Sequence, residues 1–189
     1  MTDIEKLITH IIKWEAGLTA PSLTNERLFD RARPNGYACV RGDSGGPTMI
    51  GVTLSTYADY CRKHGLPKPD TAALKAMPYA HWRDICKSMF WDKCKADRIN
   101  SQSVAEMLVD WVWLGGAGKI KRVQKALRVA ADGVVGEKTL AAINGMNPLL
   151  CFGLIRDDRI AYANAARKGR NARFADGWIN RANDIKWKG

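Results

Sequence analysis

Apolar residues recur at helical spacing along most of the chain. Ile4, Leu7, Ile8, Ile11 and Ile12 fall at i, i+3, i+4, i+7 and i+8, which predicts an amphipathic helix over 3–16 with Asp3 as N-cap and Gly17 as stop. The period then disappears. Residues 17–47 hold three prolines, five glycines and the basic cluster Arg27, Arg31, Arg33 and Arg41. That composition predicts a long irregular loop, of the kind that carries function or moves. Val52, Leu54, Tyr57, Tyr60 and Cys61 predict a helix over 54–64, ended by Gly65-Leu66-Pro67. Helical patterns follow near 71–76, 79–95 and 101–114, then the breaker Gly115-Gly116-Ala117-Gly118. Residues 119–129 and 137–144 read as helices around the turn Asp132-Gly133, 148–167 as a long helix and 172–186 as a last one. The only strand signal is a short pair near 37–52. The fold class is mainly α, with a loop or small β element near residues 37–53.

Composition agrees with a folded chain. The 189 residues are 46% hydrophobic, enough to bury a core and too apolar for a disordered chain. No stretch approaches the ~18–20 uninterrupted apolar residues of a membrane span, so no integral membrane segment is expected. The formal charge of +11 favours a polyanion: nucleic acid, anionic lipid or a bacterial wall. Residues 156–189 carry nine basic and four acidic side chains, nearly half of the excess.

The five cysteines show no C-x-x-C and no Cys/His zinc spacing. They read as free thiols in a reducing cytosol. No metal and no cofactor are expected. The start, MTDIEKLITHIIKWE, has early acids and no long apolar run, so no secretory signal is read there. Synthesis in the cytoplasm is expected, with any action outside requiring a separate route of release.

Two segments stand out chemically. Ile11 and Ile12 extend the first stripe to position 15, which is Glu. A carboxylate on an apolar face is costly unless neutral or paired. Burial and the negative end of the helix both favour its protonated form, as a general acid requires. Pairing with a nearby arginine, or reaching solvent at the helix end, is the equal alternative. The second segment is Gly42-Asp43-Ser44-Gly45-Gly46-Pro47-Thr48-Met49-Ile50-Gly51-Val52-Thr53. Dense glycine permits close backbone approach to a ligand, with Asp43 and Thr48 beside it; a tight structural turn is the plainer reading. It lacks the Walker A lysine and any strand–helix crossover.

Together, Trp14-Glu15-Ala16-Gly17 and the run from Asp43 to Thr53 resemble the N-terminal half of glycoside hydrolase family 108 lysozymes. These are phage- and prophage-type muramidases, some labelled secretion activators, whose pattern reads W-E-G-G and then D-x-G-G-x-T-x-x-G-I-T. Ala16 replaces the first glycine, and the intervening loop, 18–42, is longer. Val123-Gln124-Lys125-Ala126-Leu127 and Asp132 to Asn144 resemble the predicted peptidoglycan-binding segment of the same family. Phe174 and Gly177-Trp178-Ile179-Asn180-Arg181 are similar to its closing F-x-x-G-W-x-N-R. The resemblance covers about 14–181.

The resemblance implies a lysozyme-like helical fold, with the 37–53 element beside an active-site cleft. It implies a catalytic half over 1–95 and a helical peptidoglycan-binding-like half over 96–189, in one compact unit. The implied activity is peptidoglycan hydrolysis at the β-1,4 bond between N-acetylmuramic acid and N-acetylglucosamine, in a bacteriolytic, endolysin-like role. Glu15 matches the catalytic glutamate and would act as general acid. Asp43 would stabilise the cation or activate water, and Thr48 would position that water; Asp30 is the rival second carboxylate. Tyr57, Trp111 and Trp178 are the candidate sugar contacts, though tryptophans in a helical domain mostly serve the core. Asp110 reads as a solvated helix face shared with Glu106, and the Asp132-Gly133 turn as structural. The expected partner is peptidoglycan, met by a monomer. Nucleic acid is not expected, for lack of a helix-turn-helix or stacking motif. The competing function is a non-catalytic cell-wall-binding or secretion-accessory protein on the same fold.

Overall fold

The computed structural model describes residues 2–39, 46–169 and 171–188. Asp43, with Gly42, Ser44 and Gly45, lies outside them. The chain divides into two compact units, one of residues 5–87, the other of residues 88–189 together with 1–4. Among the described residues the structure is mainly helical, with one small sheet.

The first unit begins with α1 (Glu5–Ala16), whose Leu7, Ile8, Ile11, Ile12 and Ala16 are buried. The stripe therefore closes on Ala16. Glu15 sits at its border, half-buried, rather than within it as the extrapolated period implies. Helix α2 (Asn25–Gly36) occupies the segment expected to be irregular. Thr24 caps it, its hydroxyl accepting from the Arg27 N–H. Its apolar face is only Leu28, Phe29 and Ala32, and that narrow stripe packs on α1. Glu5 binds the two helices to α5 (Tyr79–Ile85). Its carboxylate accepts from Asn25 at 2.7 Å and from Arg83 at 2.6 Å.

Strands β1 (Tyr37–Ala38), β2 (Thr48–Met49) and β3 (Val52–Thr53) form an antiparallel sheet in that order. Ala38 pairs with Thr48, and Thr48 with Thr53. Thr53 then caps α3 (Leu54–Lys63), accepting from the Thr56 N–H at 3.1 Å. Helix α4 (Thr71–Lys75) is capped the same way by Asp70. The helix expected over 79–95 is not continuous: α5 passes into a π-helical turn, Cys86–Trp91.

In the second unit α6 (Gln102–Gly115) is the central helix, buried on every side from Ser103 to Trp113. It packs on α7 (Gly118–Ala126) and α9 (Pro148–Ala166), and α9 packs on α10 (Ala175–Asp184). Three polar residues of α6, Ser103, Glu106 and Asp110, fall on one buried line. This overturns the solvated reading of Asp110, which is 0% exposed. Arg159 and Arg181 each donate to it at 2.7 Å. Glu106 accepts from Gln102 and from Lys188, whose own N–H reaches Ser103. Asp3 exchanges two hydrogen bonds with Gln102.

The Asp132-Gly133 turn precedes α8 (Glu137–Gly145) and is fastened by the buried Gln124. Gln124 donates to Asp132 at 2.7 Å and accepts from the Gly133 N–H at 2.8 Å. The Val134 N–H, and then Gln124, hold the Asp132 carboxyl below its ordinary range. All five cysteines are free; only Cys39 is exposed.

Candidate active site

Glu15 stands in the last turn of α1. The helix stops because Gly17 takes φ +68°, a left-handed conformation that favours glycine, and its N–H returns to the Lys13 carbonyl at 2.9 Å. The carboxylate is half-buried and within electrostatic reach of Cys86, at the end of α5. Burial first, and the Glu15 charge second, push the Cys86 thiol well up. Glu15 thus lies in the last turn of α1, with the buried Cys86 within reach of its charge.

The hairpin carrying Thr48 is held by its backbone. Ile50 has φ +43° and Gly51 φ +75°. A left-handed β-branched residue is strained, and two bonds from other elements hold it. The Ile50 N–H donates to the Gly36 carbonyl at 2.7 Å, and the Ile50 carbonyl accepts from the Trp82 indole at 2.9 Å. Gly36 is required beside it: a Cβ there would stand 2.4 Å from Ile50 Cγ1. Thr48 itself is half-buried, its hydroxyl donating to the Ala38 carbonyl at 3.4 Å. Helix α2 packs on both α1 and β2, so Glu15 and Thr48 are carried on one scaffold.

Asp43 cannot be placed among the described residues. Asp30 can: its carboxylate is 58% exposed on α2 and takes the Arg33 guanidinium at 3.1 Å. Tyr57, proposed from sequence as a sugar contact, is 5% exposed. Its hydroxyl bonds His81 Nδ1 at 3.0 Å and its ring stacks on Tyr60, so burial withholds its face from a ligand. Trp111 is likewise a core residue at 2% exposure, in the second unit. Trp178 is half-buried there, stacked between Tyr162 and Phe174. Arg181, from the same closing motif, serves the buried Asp110.

Sequence reasoning missed the supports: Gly36, Trp82, Arg83 and Cys86. Each acts across elements distant in sequence, and no local spacing marks it. Among the described residues no cluster of three His, Cys, Asp or Glu could hold a metal ion, and no helix is long and apolar enough to cross a membrane.

Residues 31–116 match the family model of glycosyl hydrolase 108, and residues 119–183 that of the predicted peptidoglycan domain. The fold and these matches define a peptidoglycan-related, lysozyme-like glycoside hydrolase. The chain is thus similar to the glycosyl hydrolase 108 family over residues 31–116 and to the predicted peptidoglycan domain C-terminal to them. The first match begins beyond Glu15. A solved structure, that of Brucella abortus SagA, is similar at 29% identity with a TM-score of 0.68, covering 83% of this chain and 90% of that one. No curated protein matches the sequence.

Proposed function

We propose that the protein is a lysozyme-type N-acetylmuramidase, cutting the β-1,4 bond from N-acetylmuramic acid to N-acetylglucosamine with Glu15 as general acid. The observation that carries this reading is the position of Glu15: a half-buried carboxylate at a helix end, with the buried Cys86 within reach of its charge, in the unit that also presents Thr48. Glu15 gives its proton to the glycosidic oxygen as the C1–O bond breaks and an oxocarbenium-like centre forms. Water adds its hydroxyl to C1, and its remaining proton restores Glu15 or reaches the second carboxylate. That carboxylate is Asp43, because Asp30 faces solvent and is engaged by Arg33. Thr48 holds the water. The protein acts on the wall after synthesis in the cytoplasm and release from it, as a bacteriolytic, endolysin-like enzyme of prophage type.

Incubation with purified peptidoglycan tests this. New reducing-end muramic acid is the expected product, and Glu15→Gln lowers its release by about 10²–10⁴-fold, the worth of a general acid. Anhydro ends would mean a lytic transglycosylase. Equal activity of Glu15→Gln and wild type would overturn the assignment. One observation favours a second reading, a non-catalytic wall-binding or secretion-accessory protein: the family match starts at residue 31, after Glu15. Under that reading wild type binds walls and releases nothing.

A further inference from the structure

The first turn of α9 leaves two leucines in water. Leu149 is 52% exposed, and Leu150, at 67%, is the most exposed large apolar side chain among the described residues. The turn is ordered: the Asn147 side chain caps it, accepting from the Leu149 N–H at 3.1 Å and from the Leu150 N–H at 3.2 Å. From Leu149 a groove of about 530 Å³ opens between α9 and residues 183–187. Phe152 and Ile185 are its buried lining, and the half-buried Trp187 stands edge-on to Phe152 with 5.7 Å between ring centres. The charged residues of the lining are Arg156 and Lys186, both cations. The Lys186 ammonium donates to the Asn183 carbonyl at 2.8 Å. Arg156 shares an exposed pair with Asp157 at 3.0 Å, a contact weak enough in water to exchange. Residues 184–187 lie beyond the predicted peptidoglycan match.

We infer that this face docks on the surface of an anionic phospholipid bilayer. Leu149 and Leu150 enter the headgroup layer, Trp187 sits at its level, and Arg156 and Lys186 meet lipid phosphates. Neighbouring apolar side chains left in water mark an interaction surface. Flanked by a tryptophan and cations, they have the composition of an interfacial anchor, and guanidinium and ammonium groups pair well with phosphate. Charge selects lipid over a second copy of the chain. A two-fold contact would set the copy's own Arg156 and Lys186 against these two, like charge on like. A glycan strand offers hydroxyls rather than the apolar medium in which two leucines leave water. The charge of +11 draws the whole chain to the same surface. The contact is peripheral, since no helix among the described residues is long and apolar enough to cross a membrane. It goes beyond the muramidase reading and does not depend on it.

The test sediments the full chain with vesicles of equimolar phosphatidylglycerol and phosphatidylcholine, and with vesicles of phosphatidylcholine alone. The mixed vesicles bind it about tenfold more tightly, and raising the salt narrows the difference. Leu149→Gln combined with Leu150→Gln, and separately Lys186→Glu, each weaken binding to the mixed vesicles about tenfold. These positions are exposed, so the melting temperature stays within about 3 °C of the parent. Equal binding to the two kinds of vesicle, or binding to neither, overturns the docking face. Binding of both variants within about twofold of the parent overturns it as well. So does a concentration-dependent dimer, seen by sedimentation velocity without lipid, that the double leucine variant abolishes: the face then belongs to a second copy.

Discussion

The Arg181 guanidinium donates to the Asp110 carboxylate at 2.7 Å, with the Arg side chain 5% and the Asp side chain 0% exposed. Arg159 approaches the same carboxylate at 2.7 Å and also donates to the Met107 carbonyl. One buried carboxylate therefore pairs with two guanidiniums, one from α9 and one from α10. Asp110→Ala leaves two guanidiniums without it and should cost about 3–5 kcal/mol. Urea denaturation would read this as a lower midpoint at unchanged slope. Replacing all three with Leu or Met should return most of the loss.

Gly36→Ala should destabilise the first unit by about 1–3 kcal/mol, the cost of overpacking. The added methyl meets the Ile50 side chain, and Ile50 is pinned by both its N–H and its carbonyl. Thermal unfolding checks the stability. Since β2 carries Thr48, wall hydrolysis should fall with it.

Thr48→Val keeps the shape of the side chain and removes its hydroxyl. If Thr48 holds the attacking water, turnover on peptidoglycan should drop by about 10²-fold, within the range for groups that act on a transferred proton, while sacculus binding is unchanged. Thr48→Ser should retain most of the activity. Equal rates for Thr48→Val and wild type would remove Thr48 from the chemistry.

Burial pushes the Cys151 thiol up to about 11 and the Cys94 thiol up to about 12, and holds the Tyr57 phenol at about 12. These groups keep their protons in the folded chain at pH values where the unfolded chain loses them. Their contribution is therefore whole below the ordinary thiol value near 9 and lost as pH rises through about 11–12. Melting temperature should fall across that window, and less steeply once Cys94 and Cys151 are both alanine. At pH 8 a thiol reagent should titrate Cys39 alone in the native chain, and all five cysteines after unfolding.

The helices with wide apolar stripes were legible from sequence; α1, α6 and α9 fall close to where their periods put them. Helix α2 was not, because Leu28, Phe29 and Ala32 make a stripe too narrow to stand out among charged neighbours and Pro34. Its signal was the cap, Thr24. Asp110 misled for a different reason. A charged residue in a helix reads as solvent-facing unless its partners are known, and Arg159 and Arg181 lie 49 and 71 positions away. Glu15 was noticed because it broke a period. The period overstated its burial, since Ala16 closes the stripe. For the aromatic residues, composition could not separate core from surface: Tyr57 and Trp111 went inside while Phe174 stayed at 44% exposure.

The seam along α6 sets a timetable for synthesis. Asp3 has its hydrogen-bond partner at Gln102, and Glu106 has one of its partners at Lys188. Residues 5–87 can complete their own unit as soon as they leave the ribosome. The first residues of the chain must wait for the ninety-ninth position beyond them, and the central helix must wait for position 188. At about 5–20 residues per second, that holds the second unit open for several seconds after the first has closed, with the Glu106 carboxylate held by Gln102 and without its cation until Lys188 is made.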